Sequence, residues 1–117
     1  MPRNFFLSQL YHALKHEAEF KMTGGEQARD FLNTSEVVRA LILAASTPSA
    51  HNHTINVCSG KALTLRDFAL ECKKALDSQC EIRFGAMPYR DNEIWNMVGD
   101  STKVRELLGF EGKFTFN

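Results

Sequence analysis

The chain has 117 residues, of which 44% are hydrophobic and 24% are charged, as in one soluble globular domain with its own core. Its 14 Lys and Arg balance its 14 Asp and Glu, so no nucleic-acid partner is expected, because such partners need a basic surface. No apolar run is long enough for a membrane span, and the N-terminus shows no secretory signal. We therefore expect a single cytoplasmic domain over residues 1–117.

Apolar spacing predicts four helices, over residues 3–16, 35–46, 65–77 and 101–108. Asn33 followed by Glu36 has the spacing of a capping box before the second helix, and Thr64 is a predicted cap of the third. Gly109 is placed to end the fourth. The second helix is expected to turn one apolar stripe inward: Val37, Val38, Leu41, Ile42 and Ala45.

Four short runs of β type lie between these helices, over residues 19–22, 30–32, 54–58 and 81–84. The alternation predicts a small mixed α/β fold with four helices and few short strands. A parallel strand over 54–58 needs neighbouring strands on both sides, and this chain has few strands that could pair with it. Either the sheet is small and partly open, or its partner strands come from another chain.

The first helix contains two groupings that have the outward form of a reactive site. Tyr11 and Lys15 have the YxxxK spacing, which places a phenol and an ammonium on adjacent helical turns, where the pair can transfer protons. The same spacing is common on amphipathic helices, so a structural role is favoured. His12 and His16 are four residues apart but lack a third ligand in recognisable spacing, and the cysteines form no CxxC. No metal site is predicted.

Two loops are better candidates because each carries an arginine. Gly24–Gly25 precedes Arg29 at the start of a strand, where a guanidinium would present a rigid fork to a diphosphate. In the segment 87–93, Arg90 is followed three residues later by Glu93, so a cation for phosphate accompanies an acceptor for sugar hydroxyls. The alternatives are a surface ion pair for Arg29 and an ordinary charged loop for 87–93.

Seven segments in order resemble the C-terminal part of the nucleotide-sugar epimerases and dehydratases, members of the extended short-chain dehydrogenase/reductase family. After a helix like the family's "slipsfi…al…G", KMTGGEQARDF at 21–31 is similar to "yGdGxqxRDF", and residues 33–38 are similar to the "VdDv" helix entry. INVCSG at 55–60 resembles "yNvgsG", and TLRD at 64–67 resembles "slxe". PYRDNE at 88–93 resembles "pxRxgE", and DSTK with LGF, within 100–110, resembles "DxsKaxxxLGw".

The resemblance implies a nucleotide-sugar-binding role and assigns residues by position. It implies that Arg29 and Arg90 grip the diphosphate, Glu93 reaches the ribose, Asn56 lies near the phosphates, and Phe20 and Met22 line the base. The family's GxxGxxG cofactor fingerprint does not occur in these 117 residues, and its catalytic Ser/Thr and YxxxK lie upstream of the matching region. NAD or NADP is therefore expected in a full-length parent and not on this chain, which we do not expect to catalyse a reaction alone.

The sequence thus predicts the substrate-binding portion of an epimerase, dehydratase or reductase that acts on a nucleoside diphosphate hexose. Its expected partners are the nucleotide sugar and either a second copy of the chain or a missing Rossmann half. The alternative is a non-catalytic binding or oligomerisation module that has kept the fold but not the ligand. An autonomous dehydrogenase that uses Tyr11 and Lys15 would bind NAD, and we expect no such binding.

Overall fold

The computed structural model describes residues 5–115 and contains four helices, five short strands and one 3-10 turn. The helices are α1 (Phe6–His16), α2 (Thr34–Ser46), α3 (Leu65–Ala75) and α4 (Thr102–Leu108), and the 3-10 turn is Pro48–Ala50. The strands are β1 (Glu19–Lys21), β2 (Ala28–Asp30), β3 (Ala62–Thr64), β4 (Glu81–Arg83) and β5 (Asn96–Met97). The expected fold class, a small mixed α/β fold with four helices and few strands, is confirmed.

These elements form two compact units, and each unit combines two separate stretches of the chain. Within the described residues, the first unit comprises 5–27 and 64–95, and the second comprises 28–63 and 96–115. Within these residues the chain passes from one unit to the other three times, before residues 28, 64 and 96. The expectation of one domain over residues 1–117 stays a prediction.

In the first unit, a two-stranded parallel sheet packs with two helices. β1 pairs with β4, and Phe20 lies opposite Ile82. The buried apolar side chains come from both helices, from the residue after β1 and from the segment before β4: Leu10, Ala13, Leu14, Met22, Phe68, Ala69 and Cys80. The Thr64 side chain accepts a hydrogen bond from the Asp67 N–H at 3.1 Å, so the predicted cap of α3 is present.

The second unit holds a three-stranded sheet with the order β3-β2-β5. β2 and β5 are parallel, and Arg29 lies opposite Met97. A core cluster of α2, the 3-10 turn, α4 and the segment after it contains Ala40, Ala50, Val104, Leu108 and Phe110. Gly109 ends α4 in the left-handed region at φ 63°, as the sequence predicts.

The predicted inward face of α2 is wrong. Val38, Leu41 and Ile42 are 48%, 60% and 63% exposed, whereas Ala40 is fully buried. Leu43 and Ala44 pack against the same cluster as Ala40. Because α2 is apolar on more than one side, its spacing alone did not identify the face that meets the core, and the small side chain of Ala40 occupies the closest contact.

The predicted capping box of α2 is also wrong in detail. Asn33 makes no side-chain cap hydrogen bond, because its amide binds the backbone of Thr115 instead. The Asn33 Oδ1 accepts from the Thr115 N–H at 2.7 Å, and the Asn33 Nδ2 donates to the Thr115 carbonyl at 3.0 Å. The Oε2 of Glu36 instead forms an ion pair with Arg39, whose Nε lies 2.7 Å away. A tertiary contact has therefore replaced the local one.

The run at 54–58 does not form a strand. Its side chains alternate as in a strand, since Ile55 and Val57 pack against the core cluster while Thr54 and Asn56 are exposed. No strand among residues 5–115 pairs with it, so the ladder that defines a strand is missing. The strand expected at 30–32 begins earlier, at Ala28, and the short strands β3 and β5 were not predicted.

Candidate functional site

Arg29 lies in the middle of β2, a strand with a neighbour on each side. Its side chain is half-buried, and its Nη1 donates to the Ala28 carbonyl at 2.8 Å. A guanidinium held on a paired strand loses little further freedom when it binds an anion.

Asp30, beside Arg29, organises the loops of the second unit. Its Oδ1 accepts from the Ser59 N–H at 2.9 Å and from the Ser59 hydroxyl at 2.7 Å. Its Oδ2 accepts from the Gly60 N–H at 2.9 Å and from the Gly99 N–H at 3.2 Å. Burial raises the Asp30 pKa, but these hydrogen bonds outweigh it and hold the pKa below its ordinary value.

Asn56 is exposed and borders a shallow cavity of about 360 Å³ in the same unit. The cavity is lined by Thr54, Asn56, Asp100, Thr102 and Lys103. The Lys103 Nζ donates to the Thr54 carbonyl at 3.3 Å, which holds the ammonium at the cavity. Hydrogen bonds from Thr102 lower the pKa of Asp100, so the cavity carries an amide, an ammonium and an ionised carboxylate.

Phe20 and Met22 lie along and just after β1 in the first unit. Phe20 is half-buried, and its ring centroid lies 6.3 Å from that of Phe6. Met22 is only 5% exposed, and its backbone N–H donates to the Arg83 carbonyl at 3.1 Å. Phe20 therefore retains some free ring surface, whereas Met22 belongs to the core of the unit.

Arg90 and Glu93 are brought together by a tight turn. The Glu93 N–H donates to the Arg90 carbonyl at 3.2 Å, so the two side chains leave the same short loop. Tyr89 and Trp95 flank this turn, and their ring centroids lie 4.6 Å apart with an interplanar angle of 70°. This edge-to-face contact joins the residues on the two sides of the turn.

Tyr89 in turn is fixed to the glycine segment before β2. Its hydroxyl accepts from the Glu26 N–H at 3.2 Å and donates to the Glu26 Oε1 at 3.3 Å. A Cβ at Gly24 would lie 2.6 Å from that hydroxyl, so a side chain at this position would have to displace the hydroxyl of Tyr89. The loop that carries Arg90 is thus anchored within its own unit.

The predicted site residues are divided between the units. Arg29 and Asn56 belong to the second unit, and Phe20, Met22, Arg90 and Glu93 belong to the first. Convergence of the two arginines on one pyrophosphate stays a prediction. Sequence reasoning overlooked the acceptor role of Asp30 and the Tyr89–Trp95 contact, although a unique Trp two residues after a predicted contact residue was a signal that could have been used.

Residues 3–117 match the model of the GDP-mannose 4,6 dehydratase family. The chain belongs to this family. Its expected kinship with the nucleotide-sugar epimerases and dehydratases of the extended short-chain dehydrogenase/reductase type is confirmed.

Individual relatives of this dehydratase-family chain are considerably longer than the chain. It is similar to "UDP-arabinose 4-epimerase 1" of Arabidopsis thaliana, with 28% identity over 98 residues, 83% of this chain and 23% of the relative. It is also similar to "CDP-abequose synthase" of Salmonella typhimurium, with 29% identity over 118 residues, 97% of this chain and 39% of the relative. The chain therefore spans less than two fifths of the length of either relative.

A solved structure supports the fold of this family member. The chain is similar to "MoeE5 in complex with UDP-glucuronic acid and NAD", with a TM-score of 0.78 and 24% identity. The similarity covers 98% of this chain and 38% of that protein. At this identity the similarity shows the fold of the chain.

Gly24–Gly25 does not form the usual turn that binds a dinucleotide cofactor. The usual turn is glycine-rich and lies between a strand and a helix N-terminus, with backbone N–H groups aimed at the pyrophosphate. In this family member, Gly24–Gly25 lies between β1 and β2, and a Cβ at Gly25 would lie 2.7 Å from the backbone nitrogen of Arg66. We assign no hydride step to this chain.

On α1, the two residues of the YxxxK spacing contact each other. The Lys15 Nζ lies 4.8 Å from the centroid of the Tyr11 ring, a cation–π contact on an exposed helix face. Among residues 5–115, no three His, Cys, Asp or Glu side chains are grouped as metal ligands. No helix in that range has the length and apolarity needed to cross a membrane.

Proposed function

We propose that this chain is the nucleotide-sugar-binding portion of an enzyme of the epimerase, dehydratase or reductase type. The observation that carries the proposal is the family match, which extends along nearly the whole chain and includes the RDF and PYRDNE segments. MoeE5, which has the same fold in this region, holds UDP-glucuronic acid and NAD. The names of the two relatives likewise refer to UDP and CDP sugars.

Arg29 and Arg90 are proposed to bind the diphosphate. Guanidinium groups form charge-assisted, bidentate hydrogen bonds with phosphate oxygens, about twice as strong as neutral ones. Each arginine is held on a short, hydrogen-bonded segment, Arg29 on a paired strand and Arg90 in the turn that ends at Glu93. Such preorganisation supports a binding role because less side-chain and loop freedom is lost on association.

The remaining predicted contacts supply polar groups for the rest of the ligand. Glu93 is proposed to accept hydrogen bonds from the ribose hydroxyls, and Asn56 to donate to a phosphate. The ammonium of Lys103 beside Asn56 supports an anion-binding role for that cavity. Met22 is so far buried that its proposed role along the base is restricted to its backbone, whereas Phe20 offers the exposed part of a half-buried ring.

The proposed parent enzyme uses NAD or NADP for its chemistry. MoeE5 contains NAD, which supports a dinucleotide in full-length relatives. In such an enzyme the cofactor supplies hydride transfer at the sugar, and the residues of this chain bind and orient the nucleotide sugar. We propose no cofactor-binding residue within the chain.

The test is a titration of the chain with UDP, dTDP, GDP and CDP sugars, followed by ligand-observed NMR, which detects weak binding. Arg29→Ala and Arg90→Ala should each weaken binding of the preferred sugar by at least tenfold. Arg83→Ala is the matched control, because Arg83 is an exposed arginine of the first unit whose Nε pairs with Glu19 at 2.8 Å. It should leave the affinity unchanged.

Two results would contradict the proposal. If no nucleotide sugar binds at millimolar concentration, the alternative of a non-catalytic module that lacks the ligand is supported. If a sugar binds but neither arginine variant differs from Arg83→Ala, the diphosphate site lies elsewhere. Binding of NAD alone would instead favour an autonomous dehydrogenase, which we do not expect.

The expected homo-oligomer also remains a proposal, and α2 is where it can be tested. The exposed apolar side chains of Val38, Leu41 and Ile42 form a continuous stripe on this helix. If a second copy covers the stripe, the double substitution Leu41→Lys/Ile42→Lys should convert a dimer into a monomer in analytical ultracentrifugation. A wild-type chain that is monomeric at high concentration would contradict the proposal.

A further inference from the structure

Trp95 is the one tryptophan of the chain, and it is 50% exposed. An indole is large and apolar, and leaving half of it in water forgoes much of the free energy that burial would give. Trp95 nevertheless has a defined position, because its ring meets Tyr89 edge to face. An exposed aromatic ring in a fixed position is suited to stacking against another flat ring.

The surroundings of Trp95 indicate what kind of ring would stack. Trp95 and Tyr89 enclose the turn that presents Arg90 and Glu93, the residues proposed above for a phosphate and a ribose. A nucleotide carries phosphate, ribose and a planar base in that order, so the group next to the ribose is the base. Of the two residues proposed above for the base, Met22 is buried, and the half-buried Phe20 offers only the part of its ring that Phe6 leaves free.

We propose that Trp95 is a stacking platform for the base of the nucleotide sugar, and that Tyr89 is the positioning residue that holds it. This inference rests on the proposed function and names a further ligand contact within it. Stacking on an aromatic ring is tolerant of base identity, because every base has a π-face. The platform is therefore expected to accept uracil, guanine and cytosine alike, and discrimination among them must come from other contacts.

The rigidity of the pair supports this role. Two hydrogen bonds join the Tyr89 hydroxyl to Glu26, and the absence of a side chain at Gly24 permits their geometry. Aromatic side chains have few rotatable bonds, so an anchored pair loses little conformational entropy when a ligand arrives.

The experiment uses the fluorescence of Trp95, since the chain has no other tryptophan. The probes are UDP-glucose, uridine, glucose 1-phosphate and inorganic pyrophosphate. UDP-glucose and uridine should quench the indole emission, whereas the two probes without a base should leave it unchanged. Quenching by glucose 1-phosphate and not by uridine would overturn the proposal in favour of a platform for the hexose.

Variants provide the second readout, with affinity for UDP-glucose measured by ligand-observed NMR. Trp95→Leu should weaken binding by about tenfold, within the range measured for base–aromatic stacking. Trp95→Phe, which keeps a ring, should remain within about threefold of the wild type. Tyr11→Leu is the matched control, since Tyr11 is an equally exposed aromatic of the same unit outside the proposed site.

The outcomes separate this inference from the proposed function. If UDP-glucose binds, but neither the emission of Trp95 nor the affinity of Trp95→Leu changes, the platform is refuted and the nucleotide-sugar proposal stands. If none of the probes binds the wild type, both fail together. If Trp95→Leu does not fold, as judged by its thermal transition, the fluorescence response of the wild type alone decides.

Discussion

Substitution of Asp30 by Asn provides a sharp test of the second unit, because it changes one oxygen to an NH₂ group without changing size. In the wild type both carboxylate oxygens accept, Oδ1 from Ser59 and Oδ2 from the Gly60 and Gly99 N–H groups. An amide can keep only one of these acceptor positions. Whichever way it turns, its NH₂ group faces donors that have lost their acceptor.

The size of the destabilisation follows from the number of hydrogen bonds that are lost. A hydrogen bond to a charged group contributes about 1.5–3 kcal/mol, and Asp30→Asn removes two of them. Asp30 is only half-buried, so water can replace part of the loss, and we expect a net destabilisation of about 2–3 kcal/mol. For a chain of this size that corresponds to a decrease in Tm of about 8–12 °C.

The effect should depend on pH in a definite direction. The Asp30 pKa is lowered in the folded state, so ionised Asp30 contributes stability at pH values above its unfolded pKa of about 3.9. That contribution is lost as the pH falls through the folded-state pKa. The difference in Tm between the wild type and Asp30→Asn should therefore be constant near neutral pH and narrow below about pH 4.

Thermal unfolding followed by circular dichroism measures these differences, with Asp100→Asn as the matched control. Asp100 accepts both the Thr102 N–H, at 2.9 Å, and the Thr102 hydroxyl, at 2.6 Å, through the single oxygen Oδ1. An amide can retain both bonds, so the control should lose less than about 0.5 kcal/mol. Equal Tm values for the two variants would refute the role assigned to Asp30.

Three further predictions concern stability and reactivity. Gly99→Ala should lower the free energy of unfolding by about 1–3 kcal/mol, as thermal unfolding would show, because the new Cβ would lie 2.5 Å from the Cβ of Cys58. Gly85 has open space around it, so Gly85→Ala should lower the free energy of unfolding by about 1–2 kcal/mol, and only because of the positive φ at that position. Thr64→Ala should lose about 1 kcal/mol with the cap of α3, and Thr64→Ser should recover most of it; equal losses would exclude the cap. Burial raises the Cys72 pKa to about 11, so iodoacetamide should label this thiol at least tenfold more slowly than a free thiol at neutral pH, as peptide mapping would show.

The local signals of the sequence were sufficient for the helices and for the family. Periodicity, the cap at Thr64 and the stop at Gly109 placed the helices within a few residues, because these features act over one or two turns of chain. The order of the RDF, INVCSG and PYRDNE segments identified the family, since no single segment is specific but their succession is.

Tertiary contacts decided what the local signals left open. α2 has apolar residues on several sides, and only packing against Val104 and Phe110 selected the side of Ala40. Residues 54–58 have the alternation of a strand, yet a strand forms only where a second strand supplies backbone hydrogen bonds, and no strand of the described residues pairs with this run.

The candidate site divides in the same way. The motifs and their positions predicted that Arg29, Arg90 and Glu93 belong to the site. The hydrogen bonds of Asp30 were not predicted, because Ser59, Gly60 and Gly99 lie next to its carboxylate only in the folded chain. The contact between Tyr89 and Trp95 likewise depends on the turn between them. Sequence by itself determined which side chains are present and which helices form, because those depend on neighbours along the chain. The structure decided which groups share hydrogen bonds and ring contacts, because these depend on neighbours in space.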